Sequence, residues 1–272
     1  MEAKKMYAAI DAGNRNTKFY DGKQLIKFPS AIGINELQRN LKGQRKPFDF
    51  EWEYEGKCGF AGTLAEDESE YAESRKDDSK AHFDALLRIL IALHQFGVGI
   101  EFNIVVGQPI ATHTEEEKTA IKNMLQRRHD LIVNGIRKTI VIRRCEISPE
   151  GAAAGLLAPG TGIVRVIDIG SGSVNYATLK DRQYINKSSF TFAEGMESKS
   201  NLQVAAFARQ IGTKSVNRKW GKGDAVYLCG GGAPAILPYL QEEFFPHCQL
   251  LEPDPFFSNV KAFYMIARKI YG

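Results

Sequence analysis

The chain has 272 residues, of which 43% are apolar and 25% are charged, and its formal net charge is +4. This composition is that of a folded protein, and the length allows two compact lobes, each with its own core. The charge excess is too small and too scattered to indicate nucleic-acid binding by itself. No aliphatic run approaches a membrane span, and no secretory signal is expected. The four cysteines and five histidines lack metal-ligand spacing, so we expect reduced thiols in a cytoplasmic protein.

Predicted strands and helices alternate through the first half of the chain. Apolar runs separated by Asp-Gly, Glu-Gly and Asn-Gly pairs indicate hairpins, and Ser, Thr or Gly residues bound the helices. The predicted strands here are Met6–Asp11, Thr17–Tyr20, Leu25–Phe28, Phe48–Tyr54, Lys57–Ala61, Phe102–Gly107, Leu131–Val133 and Lys138–Arg143. Helices are predicted over Ser79–Phe96, from Thr114 onward and from Ser148 through Leu157, and loops over Gly33–Pro47 and Glu66–Glu73.

The second half of the chain repeats the opening pattern. A strand-rich start is again followed by strand–helix units, which predicts an α/β fold with mixed sheets covered by helices. The predicted strands are Gly162–Asp168, Val174–Leu179, Gln183–Phe192 and Ala225–Cys229, and the helices are Ser198–Gln210, Ala233–Gln241 and Asn259–Ile270. We therefore predict two lobes, residues 1–158 and 159–272.

The first motif whose residues could bind a ligand is the segment Ala9–Lys18, which reads Ala-Ile-Asp-Ala-Gly-Asn-Arg-Asn-Thr-Lys. An apolar strand delivers Asp11 to its end, and Gly13 turns the chain. Backbone N–H groups in such a turn can face an anion, and Lys18 can add positive charge. Taken alone, a surface hairpin with Asp and Asn as turn formers is the favoured interpretation.

The second motif, Val164–Asn175, repeats this order of strand, aspartate, apolar residue, glycine and small polar residues. Asp168 lies 157 positions after Asp11, and two such turns are much harder to explain as accidents than one. Facing each other, they supply two carboxylates and two sets of amide groups. A polyphosphate with hydrated Mg²⁺ needs that arrangement.

The third motif is a strand that runs into Gly230, Gly231, Gly232 and Ala233. Backbone without side chains at a strand end lets a ligand touch the main chain, and the following helix start favours anions. The spacing is not that of the dinucleotide-binding fingerprint. A tight strand-to-helix turn is the structural alternative, although three consecutive glycines are entropically costly there.

The fourth motif, Ser148–Ala154, predicts a helix start with Ser148 as cap and Pro149 in the first turn. Glu150 suits the positive end of such a helix without any further role. The functional alternative is that Glu150 points at the phosphates and orients a water molecule.

These four motifs together resemble the actin, sugar-kinase and chaperone ATPase superfamily. The two Asp-x-Gly turns are similar to its phosphate-1 and phosphate-2 motifs, and Gly230–Ala233 is similar to its adenosine motif. Pro149–Ala152 resembles the first connecting helix and Ser258–Phe263 the second, with Ala262 where glycine is usual. The order of motifs resembles the ParM/StbA group of plasmid-segregation actins. The resemblance implies a duplicated, ribonuclease H-like two-lobe fold with a nucleotide cleft between the lobes.

The resemblance also implies a role for each motif. Asp11 and Asp168 would hold Mg²⁺ through water molecules. Glu150 would orient the water that attacks the nucleotide, either ATP or GTP, and would complete a catalytic set with the two aspartates. The implied nucleotide-binding residues are Gly13, Asn14, Asn16, Thr17, Lys18, Gly170, Ser171, Gly172, Ser173, Asn175, Gly230, Gly231, Gly232 and Ala233.

Members of this group polymerise with nucleotide bound and disassemble after hydrolysis, and their filaments move plasmids through a DNA-binding adaptor. The resemblance therefore implies a cytoplasmic nucleoside triphosphatase that binds copies of itself and an adaptor on a plasmid centromere. Neither membrane contact nor direct DNA binding is expected.

One departure from the superfamily pattern is the short distance between Asp168 and Gly230, which are only 62 positions apart. The superfamily places a full subdomain there, whereas the segment from Lys180 to Asp224 has room for one predicted helix. This reduced fourth subdomain is similar to that of the AlfA branch. Its loss would remove one wall of the base pocket, so we expect weak discrimination between ATP and GTP.

Two other functional classes compete with the filament-forming ATPase. A small-molecule kinase of the same superfamily would need a second pocket for an acceptor, and no separate motif for one is present. A nucleotide-sensing scaffold without activity is disfavoured by the presence of Asp11, Asp168 and Glu150. The basic segment Thr213–Lys222 contains one aromatic residue and suits nucleic acid, but a solvated loop or a subunit contact is the favoured interpretation.

Overall fold

A computed structural model describes residues 6–36, 45–70, 79–251 and 253–272. The strands are β1 (Met6–Ala12), β2 (Asn16–Tyr20), β3 (Leu25–Pro29), β4 (Ile32–Ile34), β5 (Asp49–Tyr54), β6 (Lys57–Gly62), β7 (Glu101–Gln108), β8 (Arg128–Val133), β9 (Ile136–Pro149), β10 (Ile163–Ile169), β11 (Val174–Lys180), β12 (Gln183–Tyr184), β13 (Phe190–Phe192), β14 (Ala225–Cys229) and β15 (Gln249–Leu250). The α-helices are α1 (Thr63–Glu68), α2 (Phe83–Gln95), α3 (Glu115–Leu125), α4 (Val204–Asn217), α5 (Ala233–Glu243) and α6 (Ser258–Tyr271).

The chain forms two compact units. The first is built from the described residues of Met1–Val106, Glu115–Ile147 and Tyr264–Gly272, and the second from those of Gly107–Thr114 and Ser148–Phe263. The predicted division after residue 158 stays a prediction. None of the helices in the described part of the chain is long and apolar enough to cross a membrane.

The first unit is organised around a nine-stranded mixed sheet in the order β3-β2-β1-β7-β9-β8-β5-β6-β4. β1 pairs with β2 in antiparallel fashion and with β7 in parallel. The buried helix α2 contributes Leu87, Leu90 and Leu93 to a core that also holds Phe19 and Phe28 of the sheet. Because α2 is apolar on most sides, it is enclosed rather than laid on the surface.

The second unit is organised around a six-stranded sheet in the order β12-β11-β10-β14-β15, with β13 on β11. β10 pairs with β11 in antiparallel fashion and with β14 in parallel. Its core includes Ile167 and Tyr176 from the strands and Phe207 and Leu240 from the helices α4 and α5.

The two aspartate motifs, which repeat in the sequence, also have the same pattern of strand pairing. Asp11 on β1 lies opposite Lys18 on β2, and Asp168 on β10 lies opposite Asn175 on β11. Each aspartate strand therefore has an antiparallel hairpin partner on one side and a parallel partner on the other. This duplicated arrangement confirms the predicted α/β class with mixed sheets.

Several predicted boundaries were wrong, for local reasons. Helix α2 begins at Phe83 instead of Ser79, because the His82 side chain caps it by accepting a hydrogen bond from the N–H of Ala85 at 3.3 Å. Helix α4 begins at Val204, because the chain before it is tied to the turn after β10 through Met196 and Glu197, whose N–H groups donate to Gly170 and Ser171.

Three predicted loops and strands are also corrected. Residues 33–34 belong to strand β4, and residues 66–68 belong to helix α1 instead of a solvated loop. Residues 37–44 and 71–73 lie outside the described residues. The predicted strand over Gln183–Phe192 is interrupted by a short 3₁₀ helix at Asn186–Ser188.

The predicted helix from Ser148 through Leu157 does not form. Strand β9 continues to Pro149, and only Ala154–Leu157 is helical, as a 3₁₀ turn. Gly151 has a φ of 73°, in the left-handed region, and a right-handed helix cannot pass through that conformation. Glu150 therefore lies in a turn, and no helix dipole explains its position.

The basic segment Thr213–Lys222 is a solvated loop only in its second half, after Asn217. Residues 213–217 form the end of α4, and the Trp220 side chain is only 3% exposed. Its ring packs against Tyr176 with ring centroids 6.0 Å apart, and the Arg165 guanidinium lies 5.1 Å from the ring centroid. Trp220 is therefore a core residue, and its ring is not available to stack on a nucleic-acid base.

Candidate functional site

In the first unit, the turn between β1 and β2 presents backbone donors. Within the described residues, the N–H groups of Gly13 and Asn14 donate to no protein acceptor. A Cβ atom at Gly13 would lie 2.8 Å from the Asn16 carbonyl oxygen, so the turn requires glycine there. The Asn14 carboxamide oxygen is enclosed without a hydrogen-bond partner among the same residues. Free amide groups in a tight turn form a site for an anion.

The ion pair of Asp11 and Lys18 stands at the base of this turn. Lys18 Nζ donates to Asp11 Oδ2 at 3.0 Å, and both side chains are buried. The pairing register makes this contact, because it sets the two residues directly opposite each other. Lys18 thus touches the carboxylate, and its predicted contact with phosphate stays a prediction.

Thr17 and Ser30 stabilise the same turn through hydrogen bonds. The Ser30 hydroxyl donates to the Gly13 carbonyl at 2.7 Å and lies 2.8 Å from the Thr17 hydroxyl. Thr17 is fully buried, so its side chain supports the turn. Ser30 did not stand out in the sequence, because a lone serine after a strand carries no motif.

In the second unit, the turn after β10 also presents two backbone donors. The carbonyl groups of Gly170 and Ser171 accept hydrogen bonds from Met196 and Glu197, at 3.0 Å and 2.8 Å. Among the described residues, the N–H groups of Ser171 and Gly172 donate to no protein acceptor. The two carbonyls of the turn thus accept from protein donors, and the Ser173 carbonyl closes the turn by accepting from the Gly170 N–H at 2.9 Å.

The Asp168 carboxylate is held by a residue that the sequence motifs did not identify as functional. Asn259 Nδ2 donates to Asp168 Oδ2 at 2.8 Å, and Asn259 Oδ1 accepts from the N–H of Gly151 at 2.9 Å. Asn259 is the second residue of α6. Its position at a helix start was visible in the sequence, but its partner 91 positions away was not.

The three glycines after β14 differ in whether their surroundings leave room for a side chain. Gly230 has a φ of 86°, and a Cβ atom there would lie 2.7 Å from Asp168 Oδ1. A Cβ atom at Gly232 would lie 2.5 Å from the Ile169 side chain. At Gly231 the nearest atom would be 3.4 Å away, in the Phe256 ring, which is ordinary contact. The fold therefore requires glycine at the first and third positions but leaves room at Gly231, before Ala233 begins α5.

Glu150 and Asn175 lie together in the second unit. Asn175 Nδ2 is 3.5 Å from Glu150 Oε2, and its Oδ1 accepts from the Thr191 hydroxyl at 2.7 Å and from the N–H of Ile110 at 3.2 Å. The Glu150 N–H donates to the Gln108 carbonyl at 2.9 Å. Asn175 is thus anchored by protein groups and orients its amide toward Glu150, and its predicted nucleotide contact stays a prediction.

The donor set fits a phosphate chain with Mg²⁺. Asp11 Oδ1 receives no hydrogen bond from the described residues, which leaves a hard oxygen for a metal-bound water. The described part of the chain contains no cluster of three or more His, Cys, Asp or Glu side chains that could hold a metal ion. Magnesium in phosphate sites is typically held by one or two carboxylates and by the substrate, so the residues present suffice.

Known proteins resemble this chain in sequence family and in fold. The family model for the N-terminal domain of actin-like proteins matches residues 9–152. No curated protein sequence matches the chain.

Solved structures of other proteins resemble this chain over nearly its full length. An AlfA filament bound to AMPPNP is similar with a TM-score of 0.81 and 17% identity, over 98% of both chains. A 15-stranded ParM filament from Clostridium botulinum is similar with a TM-score of 0.78 and 16% identity, over 98% of this chain and 100% of that one. The archaeal actin homologue Ta0583 in complex with ADP has a TM-score of 0.74 and 18% identity, over 97% and 99%.

At these identities the structural likeness establishes the fold, and it confirms the predicted actin-like architecture across nearly the full length. The family model covers more than half of the sequence and includes the first aspartate turn and Glu150. The chain belongs to the family of actin-like proteins.

Proposed function

We propose that this chain is a nucleoside triphosphatase that assembles into filaments with nucleotide bound and segregates plasmid DNA through a DNA-binding adaptor. The observation that carries the proposal is the pair of aspartate turns in equivalent strand registers, each with two backbone N–H groups that no protein acceptor among the described residues occupies. Two buried carboxylates and two amide sets are what a polyphosphate with a divalent cation requires.

Each part of this arrangement has a chemical task. The amides of Gly13 and Asn14 in the first unit and those of Ser171 and Gly172 in the second unit bind phosphate oxygens. Asp11 and Asp168 would hold Mg²⁺ through water molecules, and the ion would neutralise charge on the phosphates. Catalysis of this kind depends mainly on positioning and electrostatic stabilisation.

Glu150 orients the attacking water molecule. Its position in a turn beside the anchored amide of Asn175 supports this role, because a carboxylate held by a fixed donor keeps one orientation. The run from Gly230 to Ala233 faces the nucleoside. The open space at Gly231 supports this part of the proposal.

The proposed partners are further copies of the chain and a DNA-binding adaptor on a plasmid centromere, in the cytoplasm, with no membrane contact and no direct DNA contact. Support comes from the AlfA and ParM structures, which are filaments. The buried Trp220 ring removes the stacking group that direct DNA binding would have used.

The decisive experiment measures phosphate release and sedimentation together, with MgATP or MgGTP, for the wild-type protein and two aspartate variants. We expect wild-type protein to hydrolyse nucleotide and to pellet as filaments, and Asp11→Ala and Asp168→Ala to lose hydrolysis by at least about 100-fold. Asp21→Ala is the matched control, because Asp21 lies outside the four motifs and accepts hydrogen bonds from the N–H groups of Lys23 and Gln24 in a hairpin turn.

Wild-type hydrolysis in a folded Asp168→Ala protein would show that the second turn has no role in the reaction. A wild-type protein that never sediments but transfers phosphate to a metabolite would establish the kinase alternative.

A further inference from the structure

A buried lysine outside the four motifs contacts the first aspartate turn. Lys80 precedes helix α2, and its Nζ donates to the carbonyl oxygen of Ala12 at 2.8 Å. Ala12 is the last residue of β1, between Asp11 and Gly13. The Lys80 side chain is only 6% exposed. The ammonium group therefore contacts the backbone at the start of the proposed phosphate-binding turn.

The described residues supply no counter-charge for the Lys80 ammonium group. Among the described residues no carboxylate lies within ion-pair distance of its Nζ, and the Ala12 carbonyl is its one hydrogen-bond acceptor. The other buried lysine of the turn differs, since Lys18 pairs with Asp11 at 3.0 Å. An ammonium has three donors and a full charge, and burying it beside one neutral carbonyl is unfavourable unless an anion completes the site.

A second buried cation lies behind the same turn. Arg88 is 1% exposed, its Nε donates to the Ser30 carbonyl at 2.8 Å, and its two terminal nitrogens have no hydrogen-bond partner among the described residues. Burial lowers the pKa of Arg88 to about 10, with Asp84 opposing this effect, so the guanidinium remains charged at neutral pH. Ser30 in turn donates to Gly13. Two buried cations thus reach the carbonyls of Ala12 and Gly13, one directly and one through Ser30.

The segment that carries Lys80 is held in place by its neighbours. The Ser79 hydroxyl donates to Glu117 Oε2 at 2.9 Å, and the N–H of Ala81 donates to the Ser79 hydroxyl at 3.0 Å. His82 caps the following helix. Lys80 is therefore preorganised, and a ligand gains its charge without ordering a flexible side chain.

We propose that Lys80 is a positioning residue for the phosphate chain of a nucleoside di- or triphosphate. It holds the Ala12 carbonyl back from the turn, so that the amides of Gly13 and Asn14 face the phosphates, and the phosphates neutralise its charge. The proposal rests on the proposed function of the same site. Its chemistry concerns the phosphates alone and not the base or the sugar.

The test compares ligands with and without phosphates on the full chain. Calorimetric titrations with MgATP, pyrophosphate with Mg²⁺, and adenosine are made on wild-type protein and on Lys80→Met. We expect MgATP and pyrophosphate to bind about 10- to 100-fold more weakly to the variant, the scale of one partly buried charge acting on an anion. We expect adenosine affinity to change by less than about twofold, because no phosphate is involved.

Two further variants separate charge from structure. Lys80→Arg keeps the charge and should recover most of the lost MgATP affinity. Lys138→Met is the matched control, since Lys138 Nζ donates to the carbonyls of Leu93 and Gly97, at 2.8 Å and 2.6 Å, at the end of α2. Loss of this structural lysine should reduce stability and leave all three affinities unchanged. If Lys80→Met does not fold, Lys80→Gln removes the charge while keeping a donor, and the same ratios are measured.

The outcomes are distinct. If Lys80→Met lost affinity for adenosine and for MgATP equally, Lys80 would have only a structural role, and the inference would be overturned. Wild-type affinity for MgATP in a folded Lys80→Met protein would also overturn it and leave the proposed function standing. A wild-type protein that binds neither MgATP nor pyrophosphate would overturn both.

Discussion

The side chain of Asn259 donates a hydrogen bond to the carboxylate of Asp168 across 2.8 Å, and its oxygen accepts the N–H of Gly151. These two bonds set which end of the amide faces the carboxylate. The start of α6 thereby fixes the orientation of Asp168 and the left-handed turn after Glu150 at once. All of these groups belong to the second unit.

The first prediction concerns this bridge. Asn259→Ala leaves a buried carboxylate oxygen and the Gly151 N–H without this partner, so the free energy of unfolding should fall by about 1–3 kcal/mol. The rate of hydrolysis should fall by a larger factor than MgATP affinity, because a misoriented Asp168 carboxylate keeps its charge but not its position. Urea unfolding and phosphate release check this, and unchanged values of both would show that the bridge has neither role.

The second prediction separates two neighbouring glycines. Gly230→Ala forces a side chain into a left-handed conformation and against Asp168, so it should destabilise the fold by more than about 1 kcal/mol. Gly231→Ala meets only ordinary contact, so it should leave the melting temperature nearly unchanged. Its added methyl group should still weaken nucleotide binding. Thermal unfolding and nucleotide titration of both variants decide the matter, and wild-type nucleotide affinity in Gly231→Ala would remove this glycine from the site.

The third prediction separates assembly from hydrolysis. Because Glu150 lies in a turn, no helix-dipole benefit explains its charge. Glu150→Gln keeps the volume and removes the carboxylate, and hydrolysis should fall by about 10²- to 10⁴-fold. Filaments should still form and should persist, because the nucleotide stays intact. Phosphate release measured alongside light scattering checks this. Unchanged release would leave Glu150 with a structural role only, whereas loss of binding would place the catalytic water elsewhere.

The fourth prediction concerns the base. The segment from Lys180 to Asp224 contains a single α-helix, α4, where the related superfamily fold places a full subdomain. We expect ATP and GTP affinities to differ by less than about two orders of magnitude, roughly 2.7 kcal/mol. Competitive titration of the two nucleotides is the measurement, and a larger ratio would show that other residues complete a selective base pocket.

The fifth prediction concerns pH. His129 is buried, accepts a hydrogen bond from the Tyr54 hydroxyl on Nδ1 at 2.8 Å and donates from Nε2 to the Leu125 carbonyl at 2.9 Å. Burial lowers the pKa of His129, and nearby Arg127 lowers it further. The folded state therefore prefers neutral imidazole, so this contribution is present above the unfolded pKa of about 6.5 and is lost as pH falls below it.

Urea unfolding between pH 7.5 and pH 5 should show a steeper loss of stability for wild-type protein than for His129→Gln, which does not titrate. The His94 pKa is also lowered by burial and contributes to the slope of both proteins, so the difference between the two slopes reports His129. Equal slopes would show that His129 gains a proton without cost to the fold.

Local patterns in the sequence located the strands that carry the two aspartates, the hairpins at Glu55-Gly56 and Asn134-Gly135, and the strand Ala225–Cys229. These predictions are confirmed because their signals are local. Both the alternation of apolar residues and the turn residues with positive φ extend over only a few positions. The same kind of pattern failed at Ser148–Leu157. A serine, a proline and a glutamate are typical of a helix start, but the left-handed conformation of Gly151 is imposed by partners far away in sequence.

The sequence by itself determined the two aspartate turns, the glycine run and the actin-like family, because those signals are contiguous in the chain. Only the tertiary structure decided what holds them. Lys80 reaches Ala12 across 68 positions, and Asn259 reaches Asp168 across 91. No local pattern predicts either contact, since the acceptor of a buried donor is decided by tertiary packing. Pairing register likewise set Lys18 on Asp11, because one step of slip would have turned the lysine to the other face of the sheet.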